Sequence, residues 1–281
     1  MSNDATYAIM TRKFPFLHPC NQEEIFTEGA CLMFYSVLLY HEIRERGMLR
    51  VGQSSPIEVA QDYQDQLPAP LFTTREQFAE QMAYLAENNY HTLTLSEIEN
   101  YHYDNTGLPE KSVLLSFDDC YQSVGLYAYP ILKEYGFRAT AFVVTGWLNA
   151  EAKGFASERS VCMAQEELAR MTDVFEYANH THSFHTRQDA TTSKLMLVNE
   201  QELKADLKRC SAHPLIRVKN VFAYPFGLYS KQNVKLLHEE GFRLAFTCEA
   251  GRNDRNTDPL LLKRNVISYK MDMDSFRHIV E

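Results

Sequence analysis

Two adjacent aspartates, Asp118 and Asp119, follow directly on the apolar run at residues 113–117. The run is short and bounded by polar residues, which predicts a buried strand. Ligands in α/β folds bind at the carboxyl ends of such strands, and consecutive side chains there point in different directions. One carboxylate can therefore bind a metal while the other faces a substrate. The alternative interpretation is an acidic turn or a helix N-cap after the strand.

A histidine cluster follows a second predicted strand, at residues 175–179, and contains His180, His182 and His185. On a loop, this spacing lets the imidazoles of His180 and His185 converge. Asp119 is the natural candidate for a third ligand, and the three would leave positions open for water on a bound metal. Such a metal lowers the pKa of water and polarises a carbonyl group. A surface cluster or a pH-sensitive patch is the alternative interpretation.

A third strand pattern, at residues 221–224, runs into a turn punctuated by Pro225 and Gly227. In a functional interpretation, this turn directs the backbone N–H of Phe226 towards the site. A backbone amide in that place stabilises a tetrahedral oxyanion. A tight turn without a catalytic role is the alternative.

Strand patterns alternate with helix patterns along the chain, and most connections between them are short. This alternation predicts parallel βαβ units in a single α/β domain, and chemistry at the strand ends favours a barrel over an open sheet. Residues 1–30 have no clear period and are predicted to be an irregular N-terminal segment, and residues 44–72 a long surface excursion. The other strands are predicted at 31–40, 91–95, 139–144, 244–248 and 266–268, and the main helices at 74–89, 126–135, 199–211 and 231–240.

The bulk composition excludes several classes of protein. The chain has 281 residues and a net charge of −9, which argues against a nucleic-acid surface. No apolar run is long enough to predict a membrane span, and six scattered cysteines without a C-x-x-C pair do not indicate a disulfide scaffold. The N-terminus has no secretory signal pattern, so the sequence as written predicts a cytoplasmic protein. An extracellular or cell-surface location is expected if the chain is a trimmed form of an exported protein.

Together, the three motifs resemble those of the polysaccharide deacetylase family, the NodB-homology group of carbohydrate esterases. The first motif is Ser116-Phe-Asp-Asp-Cys120, with cysteine where the family usually has glycine, so this turn must avoid positive φ or accept strain. The spacing of His180 and His185 resembles the branch that deacetylates poly-β-1,6-N-acetylglucosamine. The third motif is Tyr224-Pro-Phe-Gly227, where that branch usually has tyrosine in place of phenylalanine.

The resemblance implies a distorted (β/α) barrel with fewer than eight complete units, formed by a catalytic domain at residues 31–281. It implies that Asp118 is the general base and that Asp119, His180 and His185 bind a divalent metal. Zinc is the usual metal, with cobalt, nickel or iron as alternatives. The Phe226 amide would contribute to the oxyanion hole. The implied reaction is hydrolysis of N-acetyl groups on a glycan that contains N-acetylglucosamine, with release of acetate.

The proton donor for the leaving amine is not evident, because no late histidine matches the family pattern. His41, after the first predicted strand, and His182 are the candidates, and Arg264 is a candidate to orient Asp118. Two other functions stay open: a small-molecule amidohydrolase on the same scaffold, and a glycan-binding module without activity. The sequence gives no indication of the oligomeric state.

Overall fold

The computed structural model describes residues 33–281. The irregular segment predicted at residues 1–30 lies outside the described residues. None of the helices in the described part of the chain is both long and apolar enough to cross a bilayer.

Strands and helices alternate through most of the described chain, as predicted. The strands are β1 (Tyr35–Tyr40), β2 (Glu42–Arg44), β3 (Ser55–Glu58), β4 (Gln66–Leu67), β5 (Phe72–Thr74), β6 (His91–Thr92), β7 (Ser112–Asp118), β8 (Ala139–Val143), β9 (Ser160–Val161), β10 (Phe175–Asn179), β11 (Val221–Ala223), β12 (Leu244–Phe246), β13 (Arg252–Asn253) and β14 (Asn265–Val266). The α-helices are α1 (Arg75–Glu87), α2 (Leu95–Tyr103), α3 (Tyr129–Tyr135), α4 (Gln165–Ala169), α5 (Glu200–Ser211), α6 (Lys231–Glu239) and α7 (Met273–Val280).

The main sheet has the strand order β12-β11-β10-β8-β7-β1-β13, with β14 paired to β1 and β6 paired to β7. Every pair from β12 to β1 in this order is parallel, and only the edge strand β13 runs antiparallel to β1. The predicted parallel βαβ units are therefore confirmed. Because parallel strands end at one edge of a sheet, the residues that follow β1, β7, β10, β11 and β12 meet there.

The central strand β7 is buried along its whole length, which explains why its sequence is continuously apolar before Asp118. Alternate side chains point to opposite faces of the sheet. Leu115 and Phe117 join the cluster that contains Tyr40 and Phe78, whereas Leu114 joins the other large cluster. This two-sided burial fixes the register of β7 and so the position of the aspartates at its end.

Several predicted boundaries need correction. In the sequence, Ser96 is a candidate to cap a short helix that ends at His102; in the structure the side chain of Thr94 caps α2 instead and forms a capping box with Glu97. The excursion at residues 44–72 contains short strands: β3 lies between β4 and β9 in a three-stranded sheet, and β2 pairs with β5. These strands have two to four residues each, too few for a periodic pattern to show.

Candidate metal and catalytic site

A cavity of about 200 Å³ lies at the carboxyl ends of the parallel strands. It receives side chains from strand ends that are far apart in the sequence, as the motifs predict. The predicted site residues that line it are His41, Asp118, Asp119, His180, His185 and Phe226.

Asp119, His180 and His185 form a candidate metal-binding group in this cavity. One ligand atom from each lies within 4.8 Å of the others, and all three residues are buried. Asp119 Oδ1 is 3.4 Å from His185 Nε2 and 3.8 Å from His180 Nε2, and it has no hydrogen-bond partner among residues 33–281. A buried carboxylate oxygen without a partner is costly, and a divalent cation would satisfy it. One carboxylate and two imidazoles are a donor set that suits zinc and related metals.

Neighbouring groups hold the ligand atoms in place. The Ala223 carbonyl lies 2.8 Å from His180 Nδ1, so the ring donates its N–H there and leaves Nε2 free to face the aspartates. Asp119 Oδ2 accepts a hydrogen bond of 3.1 Å from the Tyr121 hydroxyl, which leaves Oδ1 as the open oxygen. The His185 ring packs edge-on against Trp147, with ring centroids 4.6 Å apart.

The loop that carries both histidines is attached to α5 through one carboxylate. Asp206 is buried and accepts hydrogen bonds from the backbone N–H of His182 at 2.7 Å and of Ser183 at 2.8 Å. It also accepts a bond of 2.8 Å from the Ser183 hydroxyl. These bonds fix the backbone between His180 and His185, and therefore the separation of the two imidazoles.

Asp118 forms a buried, two-pronged ion pair with Arg264. The Arg264 Nη1 and Nη2 atoms lie 2.7 and 2.9 Å from the two carboxylate oxygens, and its Nε donates to the Thr247 carbonyl at 2.8 Å. Burial alone would raise the pKa of Asp118, but the Arg264 charge and nearby histidines outweigh burial and lower it to about 2. Arg264 thus contacts both oxygens of Asp118, a geometry that suits the orienting role for which the sequence makes it a candidate.

His41 lines the cavity together with Asp118, whereas His182 forms a hydrogen bond elsewhere. His41 is buried, and within the described part of the chain its Nδ1 has no hydrogen-bond partner; burial lowers the pKa of the ring to about 4. The Nδ1 atom of His182 instead lies 2.9 Å from the Thr145 hydroxyl oxygen. Of the two histidines considered as proton donors, the geometry therefore favours His41.

The turns that present these groups adopt unusual backbone conformations. Asp119 and Cys120 have φ of 69° and 56°, so the turn after β7 takes up the left-handed conformation with cysteine in place of the usual glycine. Cys120 itself is buried in the larger hydrophobic cluster. Phe226 has φ of 59°, and its ring lies 4.5 Å from that of His185.

Sequence reasoning missed several residues of the site. Cys248 lines the cavity with its sulfur 3.7 Å from Arg264 Nη2. Tyr63 lines it from a loop that carries no motif, and Arg187 from the histidine loop, two residues after His185. Asp206 had a visible signal, because an acid within the apolar stripe of α5 is unexpected on a buried helix face.

A parallel α/β sheet that brings a carboxylate and two histidines to its strand ends, beside a second carboxylate, is an arrangement that a metal-dependent hydrolase can use. The family model described as polysaccharide deacetylase matches residues 105–245, which is half of the chain. The chain therefore belongs to the polysaccharide deacetylase family.

Curated relatives and solved structures agree with this assignment. The chain is 29% identical over 214 residues to a poly-beta-1,6-N-acetyl-D-glucosamine N-deacetylase of Staphylococcus aureus, covering 74% of this chain and 70% of the relative. The deacetylase PplD of Streptococcus pyogenes, solved in complex with acetate, superposes with a TM-score of 0.70 at 20% identity, covering 89% of this chain and 99% of that one. IcaB from Ammonifex degensii superposes with a TM-score of 0.62 at 22% identity, covering 87% and 97%. These superpositions confirm the predicted distorted (β/α) barrel.

Proposed function

We propose that this protein is a metal-dependent N-deacetylase that removes acetyl groups from N-acetylglucosamine units of a poly- or oligosaccharide. The convergence of Asp119, His180 and His185 on one point, with Asp118 beside them, carries the proposal. The name of the staphylococcal relative supports a β-1,6-linked polymer as the substrate.

The three ligand residues fit a divalent metal, most often zinc, with cobalt, nickel or iron as alternatives. Such an ion, when bound, polarises the acetamide carbonyl and makes the attacking water more acidic. The hydrogen bonds to His180 Nδ1 and Asp119 Oδ2 would hold the ligands ready for the ion, which lowers the cost of ordering them on binding.

The roles of the other residues follow from their places in the cavity. Asp118 would take the proton from the attacking water, with Arg264 fixing the plane of its carboxylate. The Phe226 amide would donate to the oxygen of the tetrahedral intermediate. His41 would give a proton to the leaving amine, because it lines the cavity and its Nδ1 has no partner among the described residues. Burial keeps its ring neutral in the resting site, so it would first receive the proton that Asp118 takes from water and then pass that proton on.

Acetate release from a β-1,6-linked N-acetylglucosamine oligomer tests the function directly. Purified protein should carry a divalent metal by elemental analysis, and Asp119→Ala should lose both that metal and acetate release. Asp104→Ala, which removes an exposed carboxylate at the end of α2, should change neither. If Asp119→Ala keeps wild-type metal content and wild-type acetate release, the proposal is wrong.

The role of His41 has its own test. His41→Gln should keep metal content while lowering kcat for the amide substrate. An acetate ester, whose leaving alcohol needs less help from an acid, should be hydrolysed with a smaller loss. Equal losses on both substrates would contradict a proton transfer from His41 to the leaving group.

A small-molecule amidohydrolase is the second candidate function, favoured by the modest size of the cavity, about 200 Å³. Ring opening of small cyclic imides, compared with acetate release from the oligomer by the same preparation, distinguishes the two functions. Family membership argues against the third function that the sequence left open, a glycan-binding module without activity.

A further inference from the structure

One side chain of the catalytic cavity, Cys248, has no part in the roles assigned above. It lies two residues after the end of β12, and it is the cysteine within residues 33–281 that is not fully buried. Its thiol lines the cavity that also contains Asp119 Oδ1, the buried oxygen without a hydrogen-bond partner in the described chain. A ligand that satisfies this oxygen therefore binds in a cavity whose wall includes a thiol.

The thiol of Cys248 contacts Arg264, the residue that holds Asp118. Its Sγ atom lies 3.7 Å from Arg264 Nη2, and the same nitrogen donates to Asp118 Oδ2 at 2.9 Å. The carbonyl of the preceding residue, Thr247, accepts the Arg264 Nε–H at 2.8 Å. Two consecutive residues after β12 therefore supply acceptors for N–H groups that Asp118 does not use. Arg264 is fully buried, and a buried N–H without an acceptor is costly, so the sulfur has a defined place in this arrangement.

The same side chain packs against the turn that carries the Phe226 amide. A Cβ atom built on Gly227 would lie 2.6 Å from the Cys248 Cβ and 2.9 Å from its Sγ, so no side chain fits between the turn and Cys248. Phe226 and Gly227 have φ of 59° and 69°, so two consecutive residues of the turn lie in the left-handed region. Backbone in this region keeps its conformation only where neighbours fix it, and Cys248 is one such neighbour.

The chemistry of a thiol suits a residue that contacts both Arg264 and Gly227. Burial raises the pKa of Cys248, and the Arg264 charge offsets only part of this effect. The thiol therefore stays neutral near pH 7 and accepts a weak hydrogen bond without cancelling the guanidinium charge. A carboxylate in the same place would compete with Asp118 for Arg264. Sulfur is also larger than oxygen, so it fills space that a serine hydroxyl would leave open.

We propose that Cys248 is a positioning residue of the deacetylase reaction, which sets the distance between the Arg264–Asp118 pair and the turn that presents the Phe226 amide. In that reaction Asp118 acts on the attacking water and the amide acts on the carbonyl oxygen, so both take part in forming one bond. Their separation must match the reacting groups, because a misplacement of about 1 Å can cost on the order of 100-fold in rate. This inference rests on the proposed function and assigns to it a residue outside the three sequence motifs.

Steady-state kinetics of two Cys248 variants test this role first. Cys248→Ala and Cys248→Ser should each lower kcat for acetate release from a β-1,6-linked N-acetylglucosamine oligomer about tenfold, because both leave a gap beside Arg264 and Gly227. KM should change little, since the thiol is proposed to hold catalytic groups and not the substrate. Bound metal, measured by elemental analysis, should stay at the wild-type level, because the thiol is not one of the three candidate ligands.

A double-mutant cycle with Arg264→Lys separates positioning from a general loss of stability. In the Arg264→Lys background the pair with Asp118 is already loosened, so Cys248→Ala should lower kcat by less than about threefold. Leu71→Ala is the control, because it removes atoms from the wall of the same cavity. Its effect on kcat should be the same in both backgrounds.

Hydrogen exchange without substrate gives a test that needs no turnover. The Gly227 N–H donates to the Tyr224 carbonyl at 2.8 Å, and Cys248→Ala should speed its exchange, whereas Leu71→Ala should not. Wild-type kcat in both Cys248 variants, equal losses in the two Arg264 backgrounds, or unchanged exchange at Gly227 would each overturn the positioning role while the deacetylase function stands. Absence of acetate from every substrate would instead overturn the proposed function, and the exchange rates would still decide whether Cys248 holds the turn.

Discussion

Replacement of Asp206 by asparagine should weaken metal binding without removing any ligand. Asp206 lies on α5 and reaches the histidine loop through three hydrogen bonds, from His182 N–H, Ser183 N–H and the Ser183 hydroxyl. Asparagine has nearly the same shape, but one of its two terminal atoms is a donor. An N–H group would then face the Ser183 N–H, and that backbone donor would lose its acceptor.

The size of the effect follows from the bonds involved. Hydrogen bonds to a charged group contribute about 1.5–3 kcal/mol each, and a buried donor without a partner costs about 1–3 kcal/mol. Asp206→Asn removes one bond and the charge that strengthens the other two, so we expect a loss of about 2–4 kcal/mol in the free energy of unfolding. Mutation of a residue that supports metal ligands through hydrogen bonds typically lowers metal affinity 10- to 100-fold. We expect Asp206→Asn to lower metal affinity within this range.

The assay is competition with a chromophoric chelator, which gives Kd for Zn²⁺ and Co²⁺, together with urea unfolding of the metal-free protein. The visible spectrum of the cobalt form should also change, because the two imidazoles move relative to Asp119. Ile98→Ala is the control matched for stability: it creates a cavity beneath α2, expected to cost about 2–5 kcal/mol, in a hydrophobic cluster that contains no residue of the histidine loop. If both variants lose metal affinity equally, Asp206 acts through general stability and the reasoning is wrong.

Three further substitutions test other parts of the structure. Arg264→Met should lower the free energy of unfolding, measured by urea titration, by about 3–5 kcal/mol, because the Asp118 carboxylate would stay buried without its partner. Arg264→Lys should recover part of this loss. Gly227→Ala should lower Tm, with a cost of about 1–3 kcal/mol, because Gly227 has φ of +69° and the new Cβ would lie 2.6 Å from the Cys248 Cβ. Thr94→Ala should lower the free energy of unfolding by about 1 kcal/mol in urea titration, whereas Ser96→Ala should change it little. A larger loss in Ser96→Ala than in Thr94→Ala would contradict the cap assigned to α2.

The convergence of the candidate metal ligands was predictable because it depends on local patterns and one general rule. An apolar run shows where each strand ends, and parallel strands bring their carboxyl ends to one edge. Asp119, His180 and His185 each follow such a run, so their meeting in space needs no knowledge of long-range packing. Arg264 does not follow this rule, because it lies at the amino end of β14; its place beside Asp118 depends on the pairing of β14 with Leu38 and Leu39, near the carboxyl end of β1.

The side chains that line the cavity from loops could not be predicted in this way. Tyr63 and Asp65 lie in the excursion that the sequence presented as a surface loop, and Arg187 lies in the histidine loop more than a hundred residues later, beyond the motif itself. No local period links such loops, because their contact depends on how two irregular segments pack over the sheet. The same is true of Trp147, whose contact with His185 depends on the loop after β8.

Backbone strain gives a physical reason why the site needs this support. Seven described residues other than glycine have positive φ, and four of them, Asp119, Cys120, Thr181 and Phe226, lie in the loops of the site. At about 1–2 kcal/mol each, the four conformations cost roughly 4–8 kcal/mol, a large share of the roughly 5–15 kcal/mol that stabilises a typical domain. Such conformations persist only where surrounding bonds fix them. The Asn179 side chain accepts the Thr181 N–H at 2.8 Å, and the Phe142 carbonyl accepts the Asp119 N–H at 3.2 Å. The site therefore depends on buried neighbours that carry no catalytic motif.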